Sequence, residues 1–254
     1  MMHIENSYNK IGFLSGSTLK IIACVLMAID HIGLELLNDY LPFRIIGRLA
    51  FPLFAFFIAE GCRYTKNKVK RFLTLFTIGA LFGIFYFFYG GQIYGNIFMT
   101  FSVSVLYIYL LEWSKKQLFC SESLINKVGA VLIFLIALAC GYFVFEIVHF
   151  EYGFCGMLVP VFTSLFDFKN IPVSDTLKHL DTHWLRIISF TLGLIPLCIW
   201  GRMTGIQFFC LISVLFVLFY NGKVGNKKLK YAFYFFYPVH LVIIEGIALL
   251  INYL

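Results

Sequence analysis

The chain has 254 residues; 61% are hydrophobic, 13% are charged, and the mean hydropathy is +0.87. That composition excludes an ordinary soluble domain and fits an all-α, polytopic membrane protein. The net charge of +7 gives no reason to expect a nucleic-acid partner, because excess Lys and Arg in a membrane protein mark cytoplasmic loops.

Nine apolar runs are candidate transmembrane helices: 18–38, 44–63, 71–90, 97–113, 128–147, 152–167, 184–201, 205–220 and 230–252. The fourth, sixth and eighth are short, near the lower limit for a span. No internal repeat or soluble segment interrupts them, so a single membrane domain over residues 1–254 is expected. The first run starts near Thr18 without a small-x-small cleavage site, and reads as a span. The 7 cysteines include no CxxC. Cys24, Cys62, Cys140, Cys198 and Cys210 fall in or beside apolar runs and read as small apolar fillers.

Charge sets orientation. Arg63, Lys66, Lys68, Lys70 and Arg71 follow the second run; Lys115, Lys116 and Lys127 follow the fourth. Lys169 and Lys178 follow the sixth, and Lys223, Lys227, Lys228 and Lys230 the eighth. The other loops hold almost no Lys or Arg, Arg202 being the exception. The alternation predicts a cytoplasmic N-terminus and an outward Leu254. Removing one interior span would break it.

The first run carries Lys20 at its inner end and Asp30-His31 in its outer half. Lys20 and His31 are about 16 Å apart along a helix and within about 20° of one face. Asp30 is about 100° from His31, poorly placed to orient it, and better placed to pair with Arg44 or Arg48 of the second run. A charge at the middle of a membrane helix costs roughly 2.5–3.5 kcal/mol, so such residues face a partner or a watery cavity. Arg44 can also snorkel to the outer headgroups. Pro52 removes the bond to the Arg48 carbonyl and predicts a kink there.

Glu60 precedes Arg63 at the inner end of the second run, as an interfacial pair would. The 63–71 cluster is a cytoplasmic anchor that can also gather anions. Asn96, Glu151, Tyr152 and Gly153 fall at the outer surface, where an acceptor mouth and ordinary loop polarity are both consistent with them. In the ninth run Tyr237 and His240 share a face at i,i+3, and Pro238 is expected to break the helix ladder. HExxH, GxSxG, P-loop and dinucleotide-turn motifs are absent. Only His31 and His240 can be named as metal ligands, so no metal is expected. An imidazole beside intramembrane charge suits a general base. The same residues suit a proton-coupled transporter with proline-broken helices, or a scaffold of buried ion pairs.

Six blocks carry a family resemblance: LKIIACVLMAIDHIG (19–33), RIIGRLAFPLFAFFIAEG (44–61), RYT at 63–65 with Arg71 after it, NIFMTF (96–101), EYGFCGM (151–157) and FYPVHL (236–241). They resemble, in order, the TraX family of membrane proteins, named for the enzyme associated with N-terminal acetylation of conjugative pilin. The wider resemblance is to the acyltransferase type 3 superfamily, which moves acyl groups from cytoplasmic acyl-CoA to acceptors. That superfamily places a basic residue, ten residues and then His in its first helix. Lys20 and His31 match that spacing, with Lys where Arg is common. The resemblance implies a multi-pass inner or plasma membrane enzyme using acetyl-CoA as co-substrate. His31 would be the catalytic base, with Asp30 and Arg48 beside it. Lys20, Arg44, Arg63 and Arg71 would hold the CoA donor. Glu60, Asn96, Tyr152, Tyr237 and His240 would support the site or its acceptor, a peptide or pilin N-terminus or a cell-surface glycan. The choice of acetyl comes from the resemblance alone.

Overall fold

A computed structural model describes residues 12–90, 95–200 and 205–253. Its regular elements are all helical; among the described residues the only β-type pairings are two isolated bridges, Leu14 with Tyr220 and Gly95 with Phe150. The elements are α1 (Gly16–Glu35), α2 (Leu41–Gly47), α3 (Ala50–Tyr64), α4 (Lys68–Gly90), α5 (Ile97–Cys120) and α6 (Leu124–Val148). Then come α7 (Gly153–Thr163), α8 (Asp175–Lys178), α9 (His183–Trp200), a 3₁₀ stretch (Ile206–Ile212), α10 (Ser213–Leu218) and α11 (Lys230–Tyr253). Every expected apolar run carries helix. Among the described residues, six segments are long and apolar enough to cross a membrane: Gly16–Glu35, Leu41–Tyr64, Ile97–Cys120, Leu124–Val148, His183–Trp200 and Ala232–Ile251. Gly153–Thr163 and Ile206–Leu218 are shorter apolar helices. The chain is a helical membrane protein, as lipid requires of a backbone that must satisfy its own polar groups.

The described residues form two units, and the boundary falls inside α3. Unit 1 holds the described residues up to Phe54 and those after position 202. In it α2 turns back on α1 through Asn38 and Asp39, both left-handed (φ 51° and 60°), a conformation Asn and Asp tolerate. Two glycines let these helices approach. A Cβ at Gly33 would stand 2.6 Å from the Phe43 Cβ, and one at Gly47 would land on the Asp30 side chain. α11 runs in the same direction as α1: Lys20 lies over Phe233 (5.7 Å) and His31 against His240 (4.9 Å). The 3₁₀ stretch packs on α2. The end of α10 meets the start of α1, where Leu14 N–H donates to Phe219 O (2.9 Å) and Gly16 N–H to Lys223 O (2.8 Å). The segment 206–218 therefore runs opposite to α1.

Unit 2 runs from Ala55 to residue 202. The start of α4 reaches back to α3, with Arg71 Nη2 donating to Ile58 O (3.0 Å). α5 is antiparallel to α4, tied by Lys68 to Glu112 (2.8 Å) at one end and by Asn96 Nδ2 to Gly79 O (2.7 Å) at the other. α6 is antiparallel to α5: Ser114 Oγ donates to Ala130 O (3.3 Å) and Tyr107 OH to Ala137 O (2.5 Å). α7 is parallel to α5, with Thr100 on Glu151 O (2.9 Å) and Ser104 on Met157 O (3.0 Å). α9 is antiparallel to α3, through Arg186 on Glu60 and Phe190 on Phe56.

Several expectations change. The helix breaks at Arg48–Leu49, and Pro52 sits in the first turn of α3, where its missing N–H costs nothing. By contrast α11 continues through Pro238. α5 extends to Cys120, so Lys115 and Lys116 are helical and not in a loop. Lys115 is buried, and its ammonium donates to the carbonyls of Ser164 (2.9 Å) and Asp167 (2.7 Å), capping the end of α7. Cys24, Cys62, Cys198 and Cys210 are buried fillers, while Cys140 is exposed. Arg202, the side chains of Lys227 and Lys230, and Leu254 lie outside the described residues.

Candidate functional site

The close approach at Gly47 sets Asp30 against the two arginines of the second apolar run. Arg48 Nη2 donates to both Asp30 carboxylate oxygens, at 2.7 and 2.6 Å. Arg44 Nη1 is 2.9 Å from Asp30 Oδ2, and its Nε is 3.0 Å from Asp39 Oδ1. Arg48 Nε also donates to Arg44 O (3.2 Å), near the break that ends α2. Two carboxylates and two guanidiniums sum to zero charge. Asp30 is 6% exposed and Arg48 3%, and at that burial an uncompensated charge would be prohibitive. Arg48 is thereby committed to Asp30, a different task from contact with a reacting oxygen. Arg44, expected to hold the CoA donor, is buried in the same cluster.

His31 points away from this cluster, toward α11, as its 100° offset from Asp30 requires. Its Nδ1 lies 2.8 Å from Met27 O, and 3.3 Å from Nε2 of His240. A carbonyl only accepts, so His31 Nδ1 carries the proton and Nε2 carries the lone pair. No hydrogen-bond partner engages that Nε2 among the described residues, and the side chain is half-buried. His240 is buried, with Nδ1 2.8 Å from Phe236 O. The Phe236 ring stacks on it (4.9 Å, 11°) and Tyr237 meets it edge-on (5.7 Å). Unit 1 thus collects Lys20, Asp30, His31, Arg44, Arg48, Tyr237 and His240 from distant parts of the sequence.

Unit 2 holds the remaining candidates in other roles. Glu60 does not pair with neighbouring Arg63; it pairs with Arg186 of α9. Arg63 is clamped by Asp167 (2.6 Å) and Asp181 (2.7 Å). Arg71 is half-buried on the Ile58 carbonyl. The Asn96 side chain caps α5, accepting from Phe98 N–H (3.1 Å) and Met99 N–H (3.3 Å), while its amide group holds α4. Tyr152 adopts a left-handed conformation (φ 60°) at the start of α7, beside the bridge from Phe150 to Gly95.

Arg186, Asp167 and Asp181, none of them among the sequence candidates, complete these pairs. Arg186 had a signal of its own: a lone guanidinium inside the seventh apolar run, which needs a buried partner as surely as Arg48 does. The contact between His31 and His240 had none, since the two lie 209 residues apart.

No solved structure matches the chain. Over 263 aligned residues it is 26% identical to the probable fimbrial assembly protein FimC, serogroup H1, of Dichelobacter nodosus, covering 91% of this chain and 94% of that protein. Over 52 residues it is 46% identical to the uncharacterized protein RP591 of Rickettsia prowazekii (strain Madrid E), covering 20% of this chain and 21% of the relative. The family described as TraX protein matches residues 15–248, a span that holds Lys20, the Asp30 cluster, His31 and His240, and the chain belongs to that family.

Proposed function

We propose that the protein is a membrane-embedded acyltransferase that moves an acetyl group from cytoplasmic acetyl-CoA to the amino terminus of a fimbrial or pilin-type subunit. The observation that carries this reading is the 2.8 Å contact of His31 Nδ1 with Met27 O, from which its tautomer follows. Met27 O holds Nδ1–H and leaves a basic Nε2 lone pair within a membrane helix. The acceptor nitrogen attacks the thioester carbonyl carbon, the C–S bond breaks, and CoA leaves as thiolate. His31 Nε2 takes the proton from the attacking nitrogen and returns it to the thiolate sulfur. The acceptor class is supported by the relative whose name states a role in fimbrial assembly.

Lys20 stands on the His31 face of α1, about 16 Å nearer the expected cytoplasmic end, a distance suited to a long donor with phosphates at one end and a thioester at the other. Lys66, Lys68 and Lys70, with Arg71 after them in the sequence, form a basic run that raises the local concentration of an anionic donor. Arg63, held by two carboxylates, contributes little net charge to it.

The proposed topology has nine crossings with the N-terminus inside. Helix directions within each unit support it. In unit 1, α1 and α11 run one way and α2 and 206–218 the other; in unit 2, α4, α5, α6 and α7 alternate in direction, and α9 runs opposite to α3. The seven-residue 3₁₀ stretch helps the short eighth run, because a 3₁₀ helix rises about 2.0 Å per residue against 1.5 Å for an α-helix.

The test is acetyl-CoA binding and transfer by the purified, detergent-solubilised protein, with a peptide amino terminus as acceptor. Binding is expected, and Lys20→Ala should weaken it more than His31→Ala does. No binding would favour a carrier or scaffold; equal or reversed effects would sink the placement of phosphate at Lys20 and thioester at His31. Reporter fusions after Lys68 and Leu254 should fall on opposite sides of the membrane.

A further inference from the structure

We propose that His240 is a positioning residue for His31: its Nε2 accepts from His31 Nδ1–H and steadies the imidazolium that forms when His31 Nε2 takes a proton. This rests on His31 being the base in the reading above. His240 Nδ1 lies 2.8 Å from Phe236 O, an acceptor only, so that nitrogen bears the ring proton. A neutral imidazole has one N–H, so Nε2 of His240 carries a lone pair. That lone pair lies 3.3 Å from His31 Nδ1, whose hydrogen already reaches Met27 O at 2.8 Å. The two contacts form one three-centre bond. The opposite tautomer of His240 would set two lone pairs against each other at Phe236 O and two N–H groups against each other at His31.

Two further observations say that this ring is built to receive. His240 is oriented by its own helix, with Phe236 stacked on one face and Tyr237 at its edge. α11 also runs in the same direction as α1, so the contact of Lys20 with Phe233 is followed along both helices by that of His31 with His240. Asp30 does not serve instead, because it lies about 100° around α1 from His31 and faces Arg44 and Arg48. A cation forming in a low-dielectric site gains from each acceptor aimed at its N–H. His31 therefore has two acceptors on the nitrogen that does no chemistry, and none among the described residues on the nitrogen that does.

The experiment uses full-length protein labelled with ¹⁵N-histidine in lipid nanodiscs, the two residues being assigned from single variants. Both are expected to show a protonated Nδ1 and a bare Nε2, and His240→Ala should shift the His31 Nδ1 resonance. In transfer assays His240→Ala should lower kcat about tenfold to a hundredfold, the scale of losing the outer partner of a functional histidine. The KM for acetyl-CoA should stay within about twofold, as expected when an interaction made only in the transition state is removed. His240→Gln, whose amide oxygen can accept in place of Nε2, should recover most of that loss. A His31 found as the Nε2–H tautomer, or a His31 Nδ1 resonance untouched by both His240 variants, would overturn the proposal. The spectra need no acceptor, so failure of this pairing and failure of the acetyltransferase reading are told apart. If His240→Ala does not insert, the parent tautomers and the His240→Gln spectrum decide the matter.

Discussion

Unit 1 and unit 2 each bury charge inside apolar helices, and they use it differently. In unit 2, Glu60 and Arg186 satisfy one another, and Arg63 sits between Asp167 and Asp181. These pairs join α3, α9 and the loop after α7, elements far apart in sequence, and hold them in register. In unit 1, Asp30, Arg44, Arg48 and Asp39 form a similarly charge-balanced group, but another face of the same helix α1 carries an imidazole with an available lone pair. The difference teaches that intramembrane charge alone does not mark a reactive site. The neutralised pairs of unit 2 are joints, whereas the cluster of unit 1 shares its helix with the reactive group, the one whose donor is satisfied while its base is not.

Four measurements break or sharpen that contrast, and the first has the largest expected effect. His31→Gln should keep the fold, since Gln is similar in size and hydrogen-bonds, yet transfer should fall about 10²–10⁴-fold, the usual contribution of a positioned base. Near-normal transfer with any acceptor the parent uses would remove His31 from the mechanism.

Asp30→Asn and Arg186→Ala come next. Each strands a buried charge, so each should cost about 3–5 kcal/mol of stability, read as earlier thermal unfolding of the solubilised protein. The two should then diverge. The double change Glu60→Gln with Arg186→Met should regain stability and leave transfer per folded molecule near the parent value. Asp30→Asn with Arg48→Gln should leave transfer reduced even where stability returns. If both double variants transfer normally, the Asp30 cluster is only a joint.

Gly47→Ala tests the close approach that creates the cluster. Its Cβ would land on the Asp30 side chain, and overpacking of this kind costs about 1–3 kcal/mol. An unchanged unfolding temperature would mean that α1 and α2 do not pack this tightly.

The smallest effect belongs to an exposed pair. Lys178 and Asp175 are 3.4 Å apart in α8, with side chains 46% and 92% exposed. Lys178→Ala should change stability by less than about 1 kcal/mol, because solvent already screens such pairs. A loss as large as that of Arg186→Ala would show that burial is not what separates the two kinds of pair.

Much of this was legible in the residues. Apolar run length located the helices, since a backbone in lipid must bond within itself. Angular spacing along α1 set Asp30 toward the second run and away from His31, and the observed Asp30–Arg48 bond follows that geometry. Pro52 marked the break at Arg48–Leu49. Pro238 looked the same and did not act the same: one lost backbone bond inside a 24-residue helix leaves the ladder on both sides to carry it. The partners of Arg63 and Asn96 could not be read from the sequence, because they sit on other elements.

Local chemistry, then, let the sequence alone determine which segments are helical, which residues carry expensive charge, and which face of α1 each occupies. Only the tertiary structure decided who satisfies whom. Glu60 prefers Arg186 to its neighbour Arg63, and His31 meets a histidine from the other end of the chain. The physical reason is that a buried polar group must find a partner with the right geometry wherever folding brings one. Sequence states that need residue by residue, while the meeting of partners 126 and 209 positions apart is set by how helices pack.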